Sequence, residues 1–220
     1  MLDRSGSMGW TAPSTAPVNN PHDVVMDSNN AHWATEYNRS YLKKYNAGGK
    51  LLKEIRGGGG SGQQQFRYPG KVAVDSGDNV YFIDTGNKRI MSYDSSGNWR
   101  CTSSTFPNNS THIYADLEVT PSDSIVVNQF GVAYIYDTGC SLKSTITPDP
   151  NYYNRVGPHA IDQNNKSYYF DNTTKVLTRF NNASNYFMQV EKTEANLTHK
   201  SSLGSPYDIE VDGANRPDFE

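Results

Sequence analysis

Runs of four or five apolar and β-branched residues recur along this chain, broken every few positions by Asp, Asn and Gly. The pattern is clearest from Phe66 to Arg100. There Val72-Ala73-Val74, Val80-Tyr81-Phe82-Ile83, Arg89-Ile90-Met91-Ser92-Tyr93 and a run beginning near Asn98-Trp99 are separated by Asp75–Asn79, Asp84–Lys88 and Asp94–Gly97. Short β-forming runs punctuated by turn formers predict strands joined by hairpins. No helical period survives that punctuation. The stretch reads as one four-stranded unit.

The unit repeats. Its first strand closes on Asp27, Asp75, Thr120, Asp162 and Asp212, at spacings of 48, 45, 42 and 50 residues. The hairpin between its third and fourth strands opens at Tyr45-Asn46, Tyr93-Asp94, Tyr136-Asp137 and Phe180-Asn181, on the same period. Leu2-Asp3-Arg4-Ser5-Gly6-Ser7 lines up with that hairpin. A unit of this size cannot cover both of its own faces, and such units stack radially into a β-propeller. The expectation is an all-β chain of four-stranded antiparallel blades, about four complete, with partial blades at both ends. Residues 1–220 form one domain: the end of a preceding blade at 1–17, blades at 18–66, 67–113, 114–156 and 157–204, and the first strand of a further blade at 205–220. Gly57–Gly62 falls between two units and is expected to be a flexible loop.

Composition narrows the picture. Hydrophobic residues are 35% of the chain and mean hydropathy is −0.73, which suits many thin sheets better than one thick core. Aromatic residues at 12% argue against a disordered chain. The formal charge of −3, with both signs interspersed, argues against nucleic acid as a partner. No apolar run reaches the roughly 18 residues of a membrane span, and the first residues do not read as a signal peptide. Compartment stays open. So does the state of Cys101 and Cys140, for which one bond and two free thiols are equally compatible.

Several motifs resemble known families. Phe66-x-x-Pro69, Val72-Ala73-Val74-Asp75, Asp84-Thr85-Gly86-Asn87-Lys88-Arg89-Ile90 and Asp94-x-x-Gly97 resemble the NHL repeat, whose propellers usually close with six blades. Pro21-His22-Asp23-Val24 and Gly157-Pro158-His159-Ala160 resemble strand starts of the peptidyl-amidoglycolate lyases, which hold zinc with histidines there. His22, with Trp33-Ala34-Thr35-Glu36, is similar to the His and Glu arrangement of streptogramin-type lyase propellers.

Candidate chemistry follows from hairpin geometry. The start of the first strand and the end of the second share one end of the blade, at the channel mouth. The residue after the opening proline is His22, Gly70, His159 or Tyr207, with Ala115 at the aligned place. The second strand closes on Glu36, Asp84, Gln129 or Asp171. His22 with Glu36, and His159 with Asp171, are therefore expected to meet. An imidazole beside a carboxylate suits general base work or metal ligation. A zinc site wants three protein ligands, and Tyr207 stands where a third histidine would be. Asp84 and Asp171 equally suit structural capping of the next turn. Tyr68, Arg89, Tyr152 and Tyr153 are placed near the same mouth as ligand contacts.

The preferred sequence reading is a non-catalytic binding or scaffolding module of NHL type, with a protein or small molecule at the mouth and no cofactor. The alternative is a propeller lyase using His22 and Glu36 with a divalent metal. RNA binding ranks third.

Overall fold

The computed structural model describes residues 20–106, 115–129 and 132–146, and beyond them the strand segments 159–161, 167–171, 176–180, 190–191, 209–211 and 217–219. The expected preceding blade at 1–17 lies outside the described residues.

Four sheets of four consecutive antiparallel strands follow one another. Blade 1 holds β1 (Pro21–Met26), β2 (His32–Glu36), β3 (Tyr41–Tyr45) and β4 (Leu51–Arg56). Blade 2 holds β5 (Pro69–Val74), β6 (Val80–Asp84), β7 (Arg89–Tyr93) and β8 (Trp99–Thr102). Blade 3 holds β9 (Ala115–Val119), β10 (Ile125–Gln129), β11 (Val132–Tyr136) and β12 (Leu142–Ile146). Blade 4 holds β13 (His159–Ile161), β14 (Ser167–Asp171), β15 (Val176–Phe180) and β16 (Val190–Glu191). The first strands pack side by side, β1 on β5, β5 on β9, β9 on β13 and β13 on β17 (Ile209–Val211), as the inner wall of the array. The last copy goes further than a first strand, because β18 (Pro217–Phe219) pairs with β17.

The repeat spacing has a simple origin. Met26 pairs with His32, Val74 with Val80, Val119 with Ile125 and Ile161 with Ser167, so every turn between first and second strands has the same length. Blade 3 is short because Gln129 pairs with Val132 across two residues. The corresponding pairs elsewhere, Glu36 with Tyr41, Asp84 with Arg89 and Asp171 with Val176, span four.

Strand alternation makes the core. In β6, Val80 and Phe82 join Trp33, Leu42, Phe66, Val72, Met91 and Tyr93 between blades 1 and 2. Tyr81 and Ile83 turn the other way and pack with Ile90, Leu117, Ile125, Val127 and Tyr134 between blades 2 and 3. Both faces of β6 are buried, which is why its sequence is a continuous apolar run and does not alternate with polar residues. Each such side chain removed from water stabilises the stack by about 1.5–3 kcal/mol.

Polar latches join the blades at the turns. Asp27 Oδ1 accepts the N–H groups of Asn29 and Ala31, and Asp75 Oδ1 those of Gly77 and Asn79, holding each turn in shape. The backbone N–H and hydroxyl of Ser28 then donate to Asp78 of the next blade, at 2.8 and 2.7 Å. Ser76 does the same to Asp123, at 2.8 and 2.6 Å. These bonds hold the Asp78 and Asp123 carboxyls below their ordinary range. The next donor position is Pro121, which has neither an N–H nor a hydroxyl to offer.

One detail answers a question the sequence left open, and a second differs from expectation. Cys101 of β8 and Cys140 of the β11–β12 turn form a disulfide across blades 2 and 3, with Cα atoms 5.9 Å apart. Cys140 has φ 63°, in the turn position where blades 1 and 2 carry Gly49 (φ 78°) and Gly97 (φ 80°). The Gly57–Gly62 loop is stitched in place. Asn87 donates to the Gly60 carbonyl, and Arg89 to those of Ser61, Gly62 and Gln65.

Candidate functional site

The mouth end of each blade is built by the start of the first strand, the end of the second and the turn after it. In blade 2 the polar groups there are held internally. Asp84 is fully buried; its Oδ1 accepts the Arg67 N–H, and its Oδ2 accepts from Asn87 at 2.7 Å and Arg89 at 2.9 Å. Arg89 completes its donor set on the loop carbonyls, so it struts the loop and does not reach into the mouth. Arg67 is likewise committed, to the Gly86 carbonyl at 2.9 and 3.0 Å. A Cβ at Gly70 would lie 2.8 Å from Thr85 Oγ1, so a larger residue there would need that hydroxyl to turn away.

Blade 1 has the same register with different chemistry. Glu36 sits where blade 2 has Asp84, and its Oε1 lies 2.7 Å from Lys43 Nζ. Both side chains are almost wholly buried, and Glu54 Oε2 approaches the same ammonium at 3.6 Å. Lys43 occupies the register position of Met91, part of the apolar packing against blade 1. Glu36 is thus a member of a buried ion pair.

His22 is the extra residue of a bulge between Pro21, which pairs with Glu36, and Asp23, which pairs with Thr35. Bulges re-aim side chains, and the His22 ring stacks on Tyr37 with centroids 5.6 Å apart and planes at 23°. Tyr37 stacks in turn on Tyr68, at 5.1 Å and 27°. One row of three rings therefore crosses from blade 1 to the start of blade 2. Partial burial, followed by the charge of Lys71, lowers the proton affinity of His22, so the imidazole is neutral near pH 7.

Beside the row lie Asp23, Lys71 and Asp116, at one register position on β1, β5 and β9. Asp23 Oδ2 accepts the Val72 N–H at 2.9 Å, and Lys71 Nζ stands 4.0 Å from Asp116. Burial, opposed by Lys71, pushes the Asp23 carboxyl up to about 6.

The remaining sequence candidates separate. Turn length and pairing place His159 at the register position of Val24, Val72 and Leu117, two residues along the strand from that of His22. His159 pairs with Tyr169, and Asp171 holds the same position as Glu36 and Asp84. Tyr152, Tyr153 and Tyr207 lie outside the described residues. Sequence reasoning missed Tyr37; its place directly after the Glu36 strand end, opposite an aromatic opening blade 2, was the available signal. It also missed Lys43, a charge placed where the neighbouring unit has methionine.

No family model matches the sequence, and no curated protein matches it. Solved structures do. A streptogramin B lyase is similar at 17% identity and TM-score 0.66, over 94% of this chain and 64% of that one. A virginiamycin B lyase from Staphylococcus aureus is similar at 13% and 0.69, over 93% of this chain and 64% of that one. A chain of a nidogen–laminin complex is similar at 14% and 0.60, over 90% and 70%. The chain spans 64% of the length of the two lyases. With this likeness and its own stacked sheets, the chain is a β-propeller of four-stranded antiparallel blades.

Proposed function

We propose that the protein is a propeller binding module of NHL-like type whose mouth engages a peptide or a protein loop through the row His22, Tyr37 and Tyr68. The observation that carries this reading is the division of labour at the mouth. The acids Glu36 and Asp84 are buried in internal pairs, whereas the ring row presents aromatic surface, with Tyr68 44% exposed. Tyrosines offer large contact area with few rotamers to freeze, which is why they concentrate at binding hot spots. A propeller of this kind also occurs in a chain that a structure holds in a nidogen–laminin complex. The Cys101–Cys140 bond suits an oxidising compartment. Selection of a random peptide library on the purified protein tests the reading. Enriched peptides should bind the wild type and lose at least tenfold affinity for Tyr37→Ala. Recovery of no binder, or of peptides indifferent to Tyr37→Ala, overturns it.

A second reading has one observation in its favour. His22 carries a neutral imidazole on a bulge at the mouth, the form a general base needs, and two similar propellers are lyases. One of these is described in complex with quinupristin. Consumption of quinupristin by the wild type but not by His22→Ala would establish this reading. Any metal requirement would appear as inhibition by a chelator.

A further inference from the structure

We infer that the mouth site takes an aromatic side chain of its partner, stacked on the open end of the ring row at Tyr68; this rests on the binding reading above. Tyr68 has φ 53°, a left-handed conformation, directly before Pro69. The equivalent residue of blade 1 is Asn20, at φ 56°, directly before Pro21. Asparagine tolerates that conformation, whereas a bulky aromatic is strained in it. The stack on Tyr37 returns stability of about the strain's own size, so folding gives little reason to prefer tyrosine there. Residues held in such strain cluster at ligand sites.

Chemistry around the ring selects the ligand. Rings 5.1 and 5.6 Å apart leave no slot between them, so a ligand must extend the row at its open end. Polar groups next to Tyr68 already have partners: Arg67 donates to the Gly86 carbonyl, and the Tyr68 N–H donates to the Ser40 hydroxyl. A polyhydroxylated ring would ask for such groups, while a planar apolar ring asks only for stacking area. Lys71 lies between Asp116 and the Asp23 carboxyl, so the adjoining wall carries a small residual negative charge that neither repels nor specifically calls for anything but an uncharged ring or a cation.

The test uses N-acetyl-L-tryptophanamide as probe and maltotriose as competitor class, titrated into the whole chain and followed by ligand-observed NMR. The tryptophan probe should bind the wild type, and at least tenfold more weakly Tyr68→Asn. The melting temperature of that variant should stay within about 3 °C of wild type, since strain and stack are lost together. Asn20→Tyr, which adds strain without a stack, should melt about 2–4 °C lower. Failure of the probe to bind, undiminished binding to Tyr68→Asn, or binding of maltotriose instead overturns the inference. So does a large loss of thermal stability in Tyr68→Asn, which would make the ring structural. Library peptides that need Tyr37 but contain no aromatic residue would overturn this inference alone, leaving the binding reading intact.

Discussion

Blades 1 and 2 share one register and diverge at one end. In blade 2 the strand-closing acid, its arginine and the loop beyond form a closed hydrogen-bonded set, and the face toward blade 1 is apolar around Met91 and Phe82. In blade 1 the corresponding acid turns to a buried lysine, and the mouth carries stacked rings. The copy that keeps the repeat pattern best has its mouth polar groups engaged in holding itself together. The drifted copy presents the surface a partner can use.

The largest expected effect breaks that comparison at Lys43. Removing one member of a buried ion pair leaves the other charge uncompensated, so Lys43→Ala should destabilise the protein by about 3–5 kcal/mol in urea unfolding. Replacing the pair by apolar residues, with Glu36→Leu and Lys43→Met together (methionine being the residue blade 2 has at the second position), should fall within about 1.5 kcal/mol of wild type. A double variant as damaged as the single one would show that the pair is needed as a pair.

The disulfide comes next. For a sequence separation of 39, loop-closure entropy gives about 4 kcal/mol. Cys101→Ser should therefore lower stability by roughly 2–4 kcal/mol. Cys140→Gly should lower it less, because glycine is at ease at the φ of 63° that Gly49 and Gly97 share in the other blades.

The smallest effect concerns Asp23. Its carboxyl titrates at about 6 in the folded protein against 3.8 as the ordinary value. Between those values the folded state binds more protons than the unfolded one, so this group makes stability fall as pH rises through the window. Asp23→Asn should remove that contribution and gain on the order of 1–3 kcal/mol relative to wild type at pH 7.5, but nothing at pH 3.5. Asp94, held low first by the Asn98 N–H of its own turn, and Asp137, held low first by Lys143 and then by its turn, act in the opposite sense and are common to wild type and variant.

The four-stranded antiparallel blades and their turns were legible in the sequence because short apolar runs and Asp/Gly turns are local features. A structural role for Asp84 was legible for the same reason, but its partners are the Arg67 N–H and the Asn87 and Arg89 side chains, and no backbone N–H of the following turn donates to it. What was not legible depends on neighbours from another unit. Arg89 looked available until the Gly57–Gly62 loop was seen to fold onto it. Glu36 looked like a mouth acid until Lys43, seven residues on, was found beneath it. His22 and His159 both follow a proline, yet Pro21 stands six residues before the closing Asp27 and Pro158 only four before Asp162, so the two histidines differ by two register positions, which aligning on the proline alone conceals. The disulfide joins residues from different blades, and Cys140 differs from its glycine counterparts only in a turn whose φ the sequence does not display.

The central claim is that binding resides in the ring row and structure in the blade 2 network. Peptide affinity and melting temperature, measured side by side for Tyr37→Ala and Arg89→Ala, test it most directly. The account predicts that Tyr37→Ala loses at least tenfold affinity with a small change in melting temperature, whereas Arg89→Ala melts several degrees lower and keeps its affinity at a temperature where it is folded. Loss of affinity in folded Arg89→Ala, with Tyr37→Ala binding normally, would contradict it.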